Sequence, residues 1–251
     1  MDLGEQGYDT DKGPAYMARY DRAFAALRDR PVALLELGVL RGGSLLMWAD
    51  YFPHGTVVGL DINPVQVDHA RVRVYQGGQQ DAALLATIAA ECAPDGFDVI
   101  IDDAGHLGSL SAASFLALYD RYLKPGGVYV LEDWGTGYWD TWLDGAPSRT
   151  VVGKPAPRPF VRLVHRSIGL LLRVLRPVPR AQRLLAPARR RTSAVMEKTR
   201  YRSHDAGMVG LVKQLVDLTS RSRDPREGDS PPPAVAEMWI SDGQAFCFKP
   251  L

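Results

Sequence analysis

Two acidic pairs, Asp102-Asp103 and Glu132-Asp133, carry the strongest chemical signal in the chain. Each closes an apolar run that reads as a buried strand, so each pair stands at a strand's carboxyl end. If those two strands are neighbours, they lie about 4.8 Å apart, and up to four carboxylates meet in one place. Such a cluster repels itself unless it holds protons or a cation. Oxygen donors this hard suit magnesium, with water or substrate completing an octahedron. Either pair alone reads as helix caps or solvated loop acids; both together point to a metal. His106, three residues after Asp103, is a candidate fifth ligand, structural residue or general base whose pKa lies near neutrality.

A second constellation lies upstream. Leu34-Leu35-Glu36-Leu37-Gly38-Val39-Leu40-Arg41-Gly42-Gly43-Ser44 reads as a parallel strand turning through glycines into a helix that faces a small ligand. Asp61 follows about 20 residues on, where such folds place an acid on ribose hydroxyls; the alternative is a helix cap in Asp61-Ile62-Asn63-Pro64. Gln79 and Asp81 sit at the next strand end, where a loop frames an adenine. Asp81 is equally placed to cap the helix that follows.

Positioning these residues takes alternating elements. Pro14 to Arg28 reads as a helix with Tyr16, Tyr20, Phe24 and Leu27 on one face. Strands are expected at Val32–Leu37, Thr56–Leu60, Arg71–Gln76, Phe97–Ile101 and Gly127–Leu131. The helices between them are Ser44–Tyr51, one from Pro64 onward, one ending near Glu91, and Ser111–Tyr122. Lys124-Pro125-Gly126-Gly127 reads as a turn. Five strands linked by helices require a mostly parallel sheet covered on both faces. Ala206–Leu218 is a further helix, and Ser220–Pro233 a charged, proline-rich linker. Val235–Ile240 and Gln244–Lys249 alternate around Asp242-Gly243, a hairpin signal.

Composition bounds the class. A chain of 251 residues, 46% hydrophobic and 24% charged, fits one α/β domain with an insertion. No run reaches the roughly 20 apolar residues of a membrane span. The first residues lack the features of a secretory leader, so a cytoplasmic protein is expected. Cys92 and Cys247 read as reduced core residues. The net charge of +1 hides an asymmetry: residues 149–202 hold fifteen Arg and Lys against one acid, Glu197. Within them Arg162, Arg166, Arg173 and Arg176 recur at helical spacing. A solvated basic face, a lid, an oligomer contact and membrane-surface docking through residues 161–191 are the readings. Nucleic acid is not expected, since the basic charge lacks interleaved aromatics.

An α/β sheet finished by an antiparallel hairpin is the Rossmann-like architecture of class I S-adenosylmethionine methyltransferases. The motifs resemble one family in particular, the magnesium-dependent sugar O-methyltransferases of macrolide and related natural-product pathways, of mycinamicin and tylosin type. Cephalosporin hydroxylase-like proteins are more distantly similar. The matching residues are Thr10-Asp11-Lys12-Gly13 with Tyr16 and Tyr20, Leu35 to Ser44, Gly59-Leu60-Asp61-Ile62-Asn63-Pro64, Ile101-Asp102-Asp103-Ala104-Gly105-His106 and Leu131-Glu132-Asp133. Gly78 and the Ala104-Gly105 pair depart from the family pattern, and the arginine-rich insertion has no counterpart in it.

The resemblance implies S-adenosylmethionine and magnesium as cofactors. It implies Asp103, Glu132 and Asp133 as metal ligands and His106, with Asp103, as the catalytic residues. Around the cofactor it places Glu36, Gly38, Arg41, Ser44 and Asp61, joined by Gln79, Asp81 and Asp102. Lys12 is a candidate partner for the cofactor's carboxylate or a solvated lysine. Trp134, Tyr138, Trp139 and Trp142 either anchor their loop or wall the acceptor site. The whole is expected to be one methyltransferase domain, with residues 1–30 as a helical cap and 140–205 as a basic insertion. The acceptor is a small glycosylated natural product, and a homo-oligomer is expected. A nicotinamide oxidoreductase and a membrane-recruited binding module are the alternatives.

Overall fold

The computed structural model describes residues 7–146, 159–174, 185–191, 205–221 and 235–251. They belong to two compact units, Met1–Gly145 with Asp205–Leu251, and Ala146–His204.

The first unit runs α1 (Pro14–Phe24), β1 (Ala33–Leu37), α2 (Gly43–Tyr51), β2 (Thr56–Asp61), β3 (Val72–Gln76), α3 (Ala82–Cys92), β4 (Phe97–Asp102), α4 (Gly108–Tyr122) and β5 (Leu123–Glu132). After the second unit it ends with a helix at Gly207–Arg221 and strands β6 (Glu237–Ile240) and β7 (Gln244–Phe248). The seven strands form one sheet in the order β3-β2-β1-β4-β5-β7-β6. β1 to β5 pair in parallel, whereas β7 runs antiparallel to both β5 and β6. The mostly parallel seven-stranded sheet and its terminal hairpin are as expected from the sequence.

Strand side chains alternate between faces, and the core divides accordingly. Leu35, Leu37, Ile100, Tyr129 and Leu131 pack with α3, α4 and the Gly207–Arg221 helix. Leu34, Val99, Ile101, Val128 and Val130 pack with Tyr20 and Phe24 of α1 and Trp48 of α2. The same alternation decides which acids can meet. Glu36 shares a face with Leu34, and Glu132 with Val130; Asp102 shares the opposite face with Ile100.

Two local expectations need correction. No helix begins at Pro64; residues 64–69 have no regular structure. There the β-branched Val65 and Val67, two apart, pack beside Gly42, a period of two rather than 3.6. The expected turn at Lys124–Gly127 lies inside β5, whose register with β4 is irregular at Phe97/Val99 and whose Gly126 has φ +72°.

In the second unit, α5 (Pro159–Val174) is helical, as are residues 185–191. Leu163, Leu170 and Leu171 of α5 are exposed, as is Arg166. Arg176 and most of the proline-rich linker lie outside the described residues. No described helix is long and apolar enough to cross a membrane.

Candidate functional site

A cavity of about 360 Å³ opens at the carboxyl ends of β1, β2 and β4, within the usual size range for small-molecule pockets. Its floor is the glycine turn. Gly38 has φ +82°, and a Cβ there would collide with the carbonyl of Asp103 and the Cα of Ala104. Only glycine lets β1 turn this close to the end of β4. Asp61 stands beside the turn and braces it. Its Oδ2 accepts the N–H groups of Val39 and Leu40 at 3.0 and 3.1 Å, and its Oδ1 accepts from the N–H and Nδ2 of Asn63 at 2.8 and 3.3 Å. With no helix following, a capping role for Asp61 falls away. Lys12, Gly38, Ser44, Asp61 and Gln79 line the cavity.

Other cofactor candidates stand behind or beside it. Glu36 is wholly buried and accepts from Ser44 Oγ at 2.6 Å and Trp48 Nε1 at 3.3 Å. Asp81 caps α3, accepting the N–H groups of Ala83 and Leu84, both at 3.1 Å. Such a cap is worth about 1 kcal/mol. Arg41 pairs with Asp9 on the surface through contacts of 2.5 and 2.6 Å. The amide of Gln79 donates to Asp102 Oδ1 at 2.9 Å and accepts the Gly105 N–H at 2.9 Å. It thereby links the cavity wall to the loop that carries His106.

The acidic pairs meet at the ends of β4 and β5, which are neighbours. The pleat removes Asp102 from the cluster: it is buried on the opposite face, where Tyr129 donates to it at 3.2 Å. Burial pushes its carboxyl up to about 6, against the hydrogen bonds from Tyr129 and Gln79. Asp103 lies beyond the strand end and turns back toward Glu132. Lys12 stands between them. Its Nζ is 2.5 Å from Asp103 Oδ2, 2.6 Å from Glu132 Oε1 and 3.2 Å from Glu36 Oε1. Tyr20 also donates to Glu132.

Burial works against the ammonium, but Glu36, Glu132 and Asp103 outweigh it and hold its pKa well above the usual amine range. The same burial raises Asp103 and Glu132 above the usual carboxylate range, because one ammonium serves several acids.

Asp133 faces the open side. Tyr16 donates to its Oδ1 at 2.6 Å, and His106 Nε2 lies 3.8 Å from its Oδ2 and 3.9 Å from Asp103 Oδ1. One donor atom each from Asp103, His106 and Asp133 fall within 4.8 Å of one another. Nδ1 of His106 is buried without a hydrogen-bond partner. Two carboxylate oxygens and an open side fit a hard divalent cation that keeps positions for other ligands, with His106 Nε2 standing beside them. Glu132, the third expected ligand, is directed at Lys12 and Tyr20.

Leu40, His106 and Asp133 are the described non-glycine residues with positive φ, at 51°, 46° and 50°. All three surround the site, and such conformations cost roughly 1–3 kcal/mol each. His106 is held in place by its carbonyl, which accepts from Trp142 Nε1 at 2.9 Å and Thr136 Oγ1 at 3.3 Å. Burial depresses the imidazole pKa below its ordinary value, with Asp133 opposing. Burial thus favours the neutral ring, the form a proton acceptor needs.

Trp134 and Trp142 are loop anchors, since Trp134 Nε1 donates to the Ser241 carbonyl at 2.9 Å. Trp139 is 54% exposed and meets Trp142 edge-on, while Tyr138 is half-buried beside Trp134. Sequence reasoning passed over Leu40 and Ile62, which line the cavity while being 64% and 72% exposed. The available signal was a large apolar residue beside each of the two ligand-facing turns.

Known proteins resemble parts of this chain. Residues 34–127 match the family described as a methyltransferase domain. Mycinamicin VI 2''-O-methyltransferase of Micromonospora griseorubida is 42% identical over 132 residues, 49% of this chain and 32% of that enzyme. The 8-demethyl-8-(2-methoxy-alpha-L-rhamnosyl)-tetracenomycin-C 3'-O-methyltransferase of Streptomyces olivaceus is 40% identical over 127 residues, 47% of this chain and 32% of that enzyme. A solved structure of the MycE methyltransferase from the mycinamycin pathway, in complex with Mg and SAH, aligns with 100% of this chain and 54% of its own. The TM-score is 0.67 and the identity 28%. The chain thus spans about a third of the length of these curated relatives and about half of that solved chain.

Proposed function

We propose that this chain, whose residues 34–127 are a methyltransferase domain within a class I methyltransferase fold, is a magnesium-dependent O-methyltransferase. In this reading S-adenosylmethionine is the donor and a hydroxyl of a sugar-bearing natural product the acceptor. The observation that carries it is the convergence of Asp103, His106 and Asp133 at the edge of a cavity floored by the glycine turn. The relatives named for sugar O-methylation, and the solved neighbour holding Mg and SAH, support the choice of donor and metal.

The metal, when bound, acts as a Lewis acid that lowers the pKa of an attached hydroxyl. The chain's own residues do the rest. Asp103 and Asp133 offer oxygens to the cation, and Glu132 shapes the site from behind through Lys12. His106 Nε2 receives the acceptor's hydroxyl proton, and its buried, neutral ring has the lone pair to do so. The N–H groups of Val39 and Leu40, bonded to Asp61, keep the cavity floor in one shape. Leu40 and Ile62 offer apolar surface to a flat base, and Asn63 Nδ2, at 3.3 Å the longest contact to Asp61, is the one a ribose hydroxyl would displace. Because the donor methyl is already activated, positioning supplies much of the acceleration. Trp139 is the proposed acceptor-side wall. Cytoplasmic location and homo-oligomerisation belong to the same reading.

The test is methyl transfer from labelled S-adenosylmethionine to a panel of deoxysugar-bearing polyketides, with and without chelator. Transfer that needs added Mg2+ and is lost in D133N supports the proposal. Transfer indifferent to both sinks its metal part, and thermal stabilisation by NAD rather than S-adenosylmethionine sinks the donor.

A further inference from the structure

Lys12 is among the most buried charges of the first unit, with its side chain 2% exposed. An ammonium has three protons and accepts nothing. Three carboxylates surround this one at 2.5, 2.6 and 3.2 Å, and it donates to two of them, Asp103 and Glu132. The three acids come from the ends of β1, β4 and β5, and two are fixed from behind: Glu36 by Ser44 and Trp48, Glu132 by Tyr20.

The lysine arrives on its own anchors. Asp9 pairs with Arg41, Tyr8 donates to Asp50 at 2.5 Å, and Tyr16 donates to Asp133. Gly43, which has no Cβ, lets the backbone of Asp9 lie against the start of α2. Asp103 bridges two compartments. Its Oδ2 faces Lys12, and its Oδ1 faces His106 and the open side.

We propose that Lys12 is a resident counter-cation: it fills a compartment made by Glu36, Asp103 and Glu132, and thereby limits the acidic centre to one divalent ion. Lys12 is thus a positioning residue, acting on the reaction through Asp103. The inference rests on the metal reading above only for the neighbouring Asp103–His106–Asp133 compartment. Physically, three carboxylates in a dry pocket must take up protons or a cation once the ammonium is gone. All three offer hard oxygen donors, so a divalent cation is the natural replacement when the ammonium is removed. Contraction by about half an ångström brings the two nearer oxygens to the metal–oxygen length of about 2.1 Å that magnesium takes.

The experiment counts Mn2+ ions per chain by calorimetry and electron paramagnetic resonance, in folded wild type, K12R, K12A and K12A/E36Q. One ion is expected in wild type and K12R, two in K12A, and one again in K12A/E36Q. A folded K12A that binds one ion with wild-type affinity overturns the inference, and so does one that binds none. If K12A does not fold without metal, K12S replaces it. Mn2+ must then raise the melting midpoint of K12S more than that of wild type, and an equal or smaller rise overturns the inference. The two proposals fail separately. Wild type with no ion beside K12A with one would sink the metal part of the function and leave Lys12 its role. One ion in both would do the reverse.

Discussion

The two sides of the sheet's carboxyl edge solve the same problem differently. On the glycine-turn side, polar groups are satisfied by backbone: Asp61 takes the N–H groups of Val39, Leu40 and Asn63, and Asp81 takes those of α3. On the acid side they are satisfied by one another. Lys12 and Tyr20 hold Glu132, Tyr16 holds Asp133, and Nδ1 of His106 has no partner. A side closed by its own backbone is formed before any ligand arrives, which suits an apolar-walled cofactor pocket. A side built from mutually dependent charges is left electrically incomplete, and under the proposed function a cation completes it. Shape is stored on one side and charge on the other.

Substitutions should separate the two sides. The largest effect is expected from D103N and D133N, with methyl transfer falling by about 10³-fold as the cation is lost. Calorimetric binding of S-adenosylmethionine should stay within a few-fold of wild type in D133N; a parallel loss would show that the sides are not separable. G38A attacks the other side. Its Cβ meets the end of β4, and cofactor affinity should fall by about 100-fold because the floor must move. Wild-type affinity in G38A would mean the left-handed turn does not shape the pocket.

D102N probes the buried support common to both. The Asp102 carboxyl, ordinarily at 3.8, is raised to about 6, so the folded chain holds that proton more tightly than the unfolded one. Its ionisation therefore opposes folding. The penalty is absent below the ordinary value, grows as pH rises, and is complete above about 6. Denaturation midpoints at a series of pH values should show wild type losing about 2–3 kcal/mol relative to D102N between pH 4 and 7. A constant difference would refute the shift. The smallest effect is expected from L40A, about a threefold loss of cofactor affinity with the metal titration unchanged.

The periodic parts of the chain were legible because their physics is local. Alternation marked the strands and the hairpin, and glycine marked the turn. Residues 64–69 misled because Pro64 after Asp61-Ile62-Asn63 resembles a helix start, while Val65 and Val67, two apart, both pack against the core. At the site, the acidic pairs and His106 were visible as residue types at strand ends. Asp102 belonged to one pair by sequence and leaves the cluster by pleat. Lys12 carried no local sign of its surroundings, since a lysine in a glycine-containing loop ordinarily faces water.

Sequence by itself therefore determined which elements form, that a parallel sheet ends in a hairpin, and that acids gather at its carboxyl edge. These follow from periods of two and 3.6 residues and from turn chemistry, which a short window contains. Only the tertiary structure decided which acids share a face, which are closed off by backbone, and which surround a lysine. The partners of Lys12 lie 91 and 120 residues away along the chain. No local pattern encodes an encounter that the assembled strands alone bring about.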